Sequence, residues 1–207
     1  MSIVINGTGS ISGIAVGGLP DGTVDAGTLA TNSVDSAELI DGAVDAAHLA
    51  SGVGGKVLQV VSVTKTDTFS SSTTSWTDIT GFTATITPTS TSSKIFVTVT
   101  GYAGGDTNRF AYLKVQRNGT DVGIGDSRND GTPKRCLCDL GDSPHDVDVG
   151  YAFTGSFLDS PASTSALTYK TQMWVIAGTY LIGGSKSESD GNRSATPSTI
   201  TLMEIGV

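Results

Sequence analysis

Three consecutive ten-residue units occupy residues 21–50 and constrain the fold more than any other feature of the chain. They read DGTVDAGTLA, TNSVDSAELI and DGAVDAAHLA, so Val-Asp recurs at the fourth and fifth positions and Leu at the ninth. A short fixed period of this kind predicts a stacked array of small units rather than a globular core. The recurring apolar residues are Val24, Leu29, Val34, Leu39, Val44 and Leu49.

The Asp of each unit is placed to cap a short helical turn. Asp35 is followed by Glu38 at capping-box spacing, and Val34 and Leu39 are spaced as the hydrophobic staple of that cap. Burying one Val and one Leu stabilises a unit by roughly 1.5–3 kcal/mol each. Ordering ten backbone residues costs about 1–2 kcal/mol per residue. Since one chain cannot make up the difference, we predict a parallel homo-oligomeric stalk with these side chains facing a shared axis.

Other interpretations of the repeat remain open from the sequence. A flexible Ala/Gly/Asp linker has the same composition but does not need Val and Leu in fixed phase. A continuous extended spiral keeps them in phase as well as capped turns do. In a symmetric stalk, Asp25, Asp35 and Asp45 form acidic rings that are a candidate cation site, although capping is the preferred role.

The segments on either side of the repeat complete the predicted domain organisation. Residues 1–20 carry four isoleucines around an Asn-Gly turn, which predicts a hairpin too small to be stable without a partner. We therefore expect residues 1–20 to anchor the protein. Residues 21–54 form the stalk and a glycine hinge, and residues 55–207 form a C-terminal domain. The anchoring residues are Ile3, Ile5, Ile11 and Ile14.

From Lys56 onward the apolar period changes to two, which is typical of β-strands. No helical period is present, and turn residues separate the strands. This pattern predicts an antiparallel β-sandwich, of jelly-roll type, with the last strand built into a sheet. The Arg117–Thr120 stretch, with its Asn-Gly pair, predicts a hairpin. The predicted strands are residues 56–64, 82–87, 94–102, 110–117, 147–157, 166–176 and 198–207.

Two polar stretches, residues 125–146 and 183–198, are longer than ordinary connections between strands. They are candidates for loops that contact a host surface, and variable surface decoration is the equal alternative. The candidate contact residues are Arg128, Asn129, Lys134, Arg135, His145, Lys186, Asn192 and Arg193.

Charge and segment composition exclude several classes of partner. The net charge of −8 argues against nucleic acid and against anionic membranes. The N-terminus has no basic region, and no segment is apolar over a membrane-spanning length, so we expect neither a signal peptide nor membrane insertion. Synthesis in a cytoplasm follows as the default.

The sequence predicts no enzymatic activity, no cofactor and no metal. His48 replaces a Thr or Glu of the sister units, which indicates a solvated residue. A zinc site from Cys136, Cys138 and His145 lacks a recognised spacing, and a disulfide between two cysteines one residue apart is geometrically awkward. Trp76 and Trp174, with the tyrosines, are expected in the core, with a sugar-stacking platform as the alternative.

Four stretches of the chain together carry a family resemblance. They are IVINGTGSISGIAVGGLPDGTVDAGTLA, the decads that end in DGAVDAAHLA, GGKVLQVV, and TATITPTSTSSKIFVTV. These stretches and their order resemble virion appendage proteins of tailed bacteriophages, especially tail-fibre and head-fibre proteins of marine and cyanobacterial phages. The resemblance covers almost the whole chain in its order of parts and is weak over residues 103–197.

The resemblance implies a homotrimer in the virion. Its N-terminal segment attaches to other virion proteins of the tail or capsid, a slender shaft follows, and a distal β-domain meets the host surface. Two alternatives stay open: a head-fibre protein that decorates the capsid without a specific receptor, and a tip module that binds host surface glycan. A polysaccharide-degrading enzyme is the least favoured, because no acid/base pair stands out.

Overall fold

The computed structural model describes Val44 and residues 56–106, 110–126, 134–142, 150–185 and 195–206. Apart from Val44, all of these belong to one of two units of the chain, Gly54–Val207. Within the described residues there is no helix, and every pairing between strands is antiparallel. The mainly-β class predicted from the sequence is therefore confirmed.

Eleven strands make up the described part of this unit. Seven of them have eight or more residues, and four are short. In chain order they are β1 (Val57–Lys65), β2 (Phe69–Ser71), β3 (Thr77–Ile86), β4 (Lys94–Gly105), β5 (Phe110–Arg117), β6 (Thr120–Val122), β7 (Cys138–Asp142), β8 (Gly150–Asp159), β9 (Leu167–Val175), β10 (Tyr180–Ile182) and β11 (Ser198–Ile205).

The strands form two sheets. In sheet A, β4 pairs with β8 along one edge, while β11 and then β10 share its other edge; β1 lies beyond β11, and β2 beyond β10. In sheet B, β9 lies between β3 and β5, and the far edge of β5 is shared by β7 and β6. Strand β8 is thus an edge strand of sheet A.

The long-range pairings are nested along the chain. Strand β1 pairs with β11, β3 with β9, β4 with β8, and β5 with β7, and successive pairs alternate between the two sheets. Each pair therefore encloses the next pair in sequence. Such an arrangement brings distant residues together, so most of its contacts carry a high loop-closure cost.

The apolar faces of the two sheets supply one cluster of buried side chains. In β4, Ile95, Val97 and Val99 are fully buried, whereas the residues between them are not. This alternation is the period of two read from the sequence. The largest buried side chains include Phe82 and Tyr169, which sit on different strands of sheet B.

Polar side chains join the two sheets at both ends of this cluster. Tyr180 of β10 donates its hydroxyl to the carbonyl oxygens of Leu140 and Gly141, at 3.1 and 2.8 Å. Asp159 of β8 accepts hydrogen bonds from Arg117 Nη1 at 2.5 Å and from the Tyr169 hydroxyl at 2.7 Å. These bonds satisfy polar groups that would otherwise be buried without partners.

The predicted hairpin at the Asn-Gly pair is confirmed. Asn118 and Gly119 connect β5 to β6, and their φ angles are +47° and +88°. Two consecutive positive φ angles define the turn type whose twist matches that of the flanking strands. The Asn118 side chain also accepts a hydrogen bond from Thr168 N at 2.9 Å, which ties the turn to the start of β9.

All seven predicted strands are present, six of them with shifted ends and β5 with the predicted ones. The largest shift is in β3, which begins at Thr77 rather than at residue 82 because a register shift lies between Asp78 and Thr83. This irregularity interrupts the alternation of apolar and polar residues, so the period of two is not visible in this part of the sequence.

The prediction that residues 125–146 form one loop is wrong in part, because residues 138–142 form β7 against β5. The short strands β2 and β10 were also not predicted. Each of these strands has five residues or fewer, which is too short for a periodic signal.

The predicted anchor and most of the predicted stalk lie outside the described residues. Among the repeat residues the structure describes Val44, whose exposed fraction is 45% in the single chain. The boundaries at residues 20 and 54, the stalk and its capped turns therefore stay predictions.

Candidate functional site

An apolar row crosses four strands on the outer face of sheet A. Its two ends, Val60 in β1 and Leu158 in β8, are each 55% exposed. A sheet face that stays in water normally carries polar side chains, so an apolar row here indicates a contact surface. The apolar row consists of Val60, Met203, Phe96 and Leu158, which are paired across β1, β11, β4 and β8.

Two rows of hydroxyl side chains follow the apolar row, one beyond the other. In one of them Ser62 Oγ lies 3.0 Å from Thr201 Oγ1. None of the residues in these rows is charged, although the chain carries 12 Lys and Arg and 20 Asp and Glu. Depletion of charge marks the centre of protein interfaces. With the apolar row they form what we call the uncharged face; the two rows are Ser62, Thr201, Thr98, Ser156 and Thr64, Thr199, Thr100, Thr154.

The apolar row lies at the end of sheet A where the chain enters β1. Val57 and Leu58 begin this strand and are 50% and 49% exposed. Beside them, Gly206 N donates a hydrogen bond to Lys56 O at 2.7 Å. The exposed apolar surface is therefore concentrated where the domain connects to residues 1–55.

A buried carboxylate orders this same end of the sheet. Glu204 of β11 is 0% exposed, and it accepts hydrogen bonds from Gln59 Nε2 at 2.6 Å and from both the backbone N and the hydroxyl of Thr89 at 2.7 Å. Burial alone would raise the pKa of Glu204, but the bonds from Thr89 and Gln59 outweigh it and lower the pKa to about 2. The carboxylate is thus held ionised without a cationic partner among these contacts.

The hydrogen bonds to Glu204 connect two stretches that are separate in the sequence. Gln59 belongs to GGKVLQVV, and Thr89 belongs to TPTSTSSKIFV. Gln59 Nε2 also donates to Thr87 O at 2.7 Å. The hydrogen bonds of Gln59 and Thr89 to Glu204 hold β1, β11 and the β3–β4 connection together. The spacing of these residues along the chain does not reveal this role.

Of the eight predicted host-contact residues, Lys134 and Arg135 lie in the described part of the chain. Arg135 Nε donates to Gly125 O at 2.7 Å, and its guanidinium lies 3.9 Å from Asp126, so it stabilises its own loop. Lys134 Nζ lies 3.9 Å from the centroid of the Trp174 ring. The other six residues, Arg128, Asn129, His145, Lys186, Asn192 and Arg193, lie outside the described residues.

The prediction that both tryptophans lie in the core is wrong. Trp76 and Trp174 are half-buried on the outer face of sheet B, where their ring centroids are 5.8 Å apart and the rings meet edge to face. Of the five tyrosines, Tyr169 and Tyr180 are fully buried, as predicted, whereas Tyr102 and Tyr112 are half-buried and Tyr151 is exposed. The period of two assigns a residue to one of two faces, but it does not say which face is the inner one.

Polar side chains surround the tryptophans on this face. Asp78 accepts hydrogen bonds from Lys170 Nζ at 2.8 Å and from Gln172 Nε2 at 2.5 Å, and these bonds lower the pKa of Asp78. Lys114 Nζ pairs with Asp121 at 2.8 Å. The outer faces of the two sheets therefore differ. On sheet A the three rows of the uncharged face carry no charge, with Lys94 in the row beyond them, whereas sheet B combines aromatic with charged groups.

Neither a metal centre nor a reactive thiol is evident in the described residues. They contain no group of three or more His, Cys, Asp or Glu side chains placed to hold a metal ion. Cys136 and Cys138 are free thiols, and burial raises the pKa of both, that of Cys138 to about 12. Among these same residues, no helix has the length and hydropathy needed to cross a bilayer.

Comparison with known proteins adds no assignment. No protein-family model and no curated protein matches this chain.

Proposed function

We propose that this chain is a structural protein of a tailed-bacteriophage virion, a homotrimeric fibre without enzymatic activity. Residues 1–20 attach to other virion proteins, residues 21–54 form the stalk, and residues 55–207 form a distal domain that contacts the host surface. The protein is made in the host cytoplasm and resides in the virion. The alternative is a head-fibre protein that decorates the capsid without a specific receptor.

The uncharged face of sheet A is the observation that carries the proposal. Val60 and Leu158 are half-exposed in one chain, and burying them against other copies recovers about 1 kcal/mol each. The adjoining Ser and Thr rows carry no charge that would have to be desolvated. In the proposal, each copy contributes this face to a common axis.

A second copy of the same chain is the occupant that best fits this face. The exposed apolar residues lie where the chain arrives from the repeat, and the sequence predicts that the repeat needs apolar partners from other chains. An assembly through the repeat raises the local concentration of the attached domains, so a weak contact between them becomes effective. Closed rotational symmetry then brings identical faces together.

The nested strand pairs support the finer fold assignment, a β-sandwich of jelly-roll type. Eight strands, β1, β3, β4, β5, β7, β8, β9 and β11, alternate between the sheets in four nested antiparallel pairs. Two four-stranded layers with such connections are what a jelly roll requires. In the proposed sandwich, sheet A faces the symmetry axis and sheet B faces outward.

Sedimentation equilibrium of the full chain at micromolar concentration tests the assembly. We expect a mass three times that of one chain. A folded monomer under these conditions would contradict the proposed homotrimer.

Quantitative mass spectrometry of purified phage particles tests the location. A handful of copies per particle indicates the tail, and hundreds indicate the capsid decoration of the alternative. Absence of the chain from particles would contradict both assignments.

A further inference from the structure

Three aromatic side chains form a row across the outer face of sheet B. Tyr112 of β5 is paired directly with Trp174 of β9, and Trp76 meets Trp174 on its other side at 5.8 Å between ring centroids. All three are half-buried, and none belongs to the core cluster. We call Trp76, Trp174 and Tyr112 the aromatic row.

Two lysines lie over the rings of this row: one is buried and ion-paired, and the other is exposed. Lys114 Nζ is 4.6 Å from the Trp76 centroid, its side chain is 7% exposed, and Asp121 neutralises it. Lys134 Nζ is 3.9 Å from the Trp174 centroid, is exposed, and forms no ion pair with another described residue. A cation that is held against an aromatic ring, and that no carboxylate of the described residues neutralises, is a ready partner for an anion.

Unmet hydrogen-bonding capacity adjoins the row. Gln172 is directly paired with Lys114 and 9% exposed; its Nε2 donates to Asp78, while its Oε1 accepts no hydrogen bond within the described residues. An acceptor left without a donor costs about 1–3 kcal/mol. This oxygen is itself buried, so the features that this face offers to a ligand are the aromatic rings and Lys134.

We propose that the aromatic row binds a carboxylate-bearing carbohydrate, with Lys134 pairing with the carboxylate and the aromatic row packing against the sugar. Ligand sites combine aromatic surface with a few placed polar groups, and sugars offer apolar C–H faces together with hydroxyls. The cation selects an acidic sugar over a neutral one. That this carbohydrate belongs to the host surface rests on the proposed function, whereas the binding itself does not.

The site lies on strands rather than on the long loops alone. Trp174 is within β9 and Tyr112 is within β5, so the sheet holds their backbone positions. Lys134 belongs to the stretch predicted to contact the host. Its side chain lies against Trp174 on this sheet face. Sites on regular elements are positioned more accurately than sites on loops.

An array of glycans that carry uronic or sialic acid, each beside its uncharged methyl ester, tests this proposal on the full chain. We expect the wild type to bind acidic glycans at least about tenfold more tightly than their esters. Lys134→Gln should remove this preference, and Trp174→Ala should reduce binding to both forms. Arg135→Gln is the matched control, because this neighbouring cation is engaged with Gly125 and Asp126.

Two results would overturn the carbohydrate site. One is equal binding of acid and ester by the wild type, or no binding at all. The other is a Lys134→Gln protein that keeps the wild-type preference. Since Lys134 is exposed, its variant should fold normally, and sedimentation of the same samples reports the oligomer separately. A trimer that does not bind glycans would contradict the carbohydrate site alone. A monomer that binds them would contradict the proposed trimer alone.

Discussion

At the scale of single residues, Glu204 shows how a carboxylate is retained in an apolar sheet. It is fully buried on the inner face of sheet A, and three hydrogen bonds from Gln59 and Thr89 replace its hydration. Burying a charge is costly unless such donors are in place. Strand periodicity places Glu204 on the same face as Leu202 but does not reveal these partners.

Glu204→Gln should destabilise the domain by about 2 kcal/mol, because an amide nitrogen then faces donors and leaves at least one of them unsatisfied. Urea unfolding followed by tryptophan fluorescence measures this change. Asp126→Asn is the control, since Asp126 is fully exposed and its distance to Arg135 is 3.9 Å. Surface pairs contribute little, so the control should change stability by less than about 0.5 kcal/mol. Equal stability of the Glu204 variant and the wild type would count against this role.

The same carboxylate predicts a dependence of stability on pH. The pKa of Glu204 is lowered from an ordinary 4.5 to about 2 in the folded protein. Its contribution is therefore complete above pH 4.5 and is lost as the pH falls through about 2. The difference in unfolding free energy between the wild type and Glu204→Gln should shrink from pH 6 to pH 2.5. A difference independent of pH over this range would contradict the assignment.

At the scale of elements, the β5–β6 hairpin depends on backbone conformation rather than on side-chain packing. Gly119 has a φ of +88°, and an added Cβ would meet no atom within 4 Å. Gly125 has equal space around it, but its φ is not in the left-handed region. The pair therefore separates the conformational cost from steric crowding.

Gly119→Ala should lower the free energy of unfolding by about 1 kcal/mol, because Ala adopts a positive φ only with strain. Gly125→Ala should leave stability unchanged or raise it slightly, since Ala there only reduces the freedom of the unfolded chain. Chemical denaturation of both variants checks the difference. Equal effects would show that the turn conformation does not limit stability.

The strands also show which structural features can be recognised in the sequence. Strand β4 was predictable because Ile95, Val97 and Val99 alternate with less buried residues along a regular strand. The first residues of β3 were not, because a register shift between Asp78 and Thr83 interrupts the alternation. Strand β7 is only five residues long and lies in a stretch whose polar composition resembles a loop. Its pairing with β5 is a long-range contact, which local patterns do not encode.

At the scale of the whole molecule, the proposed trimer predicts that the uncharged face is sensitive to charge. Leu158→Asp should raise the protein concentration at which the trimer dissociates by at least about tenfold, because a carboxylate would be buried between copies. Within one chain the residue is 55% exposed, so the fold of the monomer should tolerate it. Sedimentation across a concentration series, with circular dichroism for folding, measures both effects.

Ile176→Asp is the matched control for this experiment. Ile176 is a large apolar residue with 44% exposure, and it follows β9 of sheet B, away from the uncharged face. Its variant should dissociate as the wild type does. Equal responses of the two variants would show that the uncharged face does not mediate assembly.

By itself, the sequence determined the mainly-β class, the seven long strands and the Asn-Gly hairpin, because each depends on residues that are neighbours along the chain. It also predicted an oligomer from the repeat, which stays a prediction, as does the anchor. The tertiary structure decided which face of each sheet is inner, and so placed Trp76 and Trp174 outside and the apolar row in solvent. It alone brought Gln59 and Thr89 to Glu204, since contacts between distant residues arise from how the strands pair.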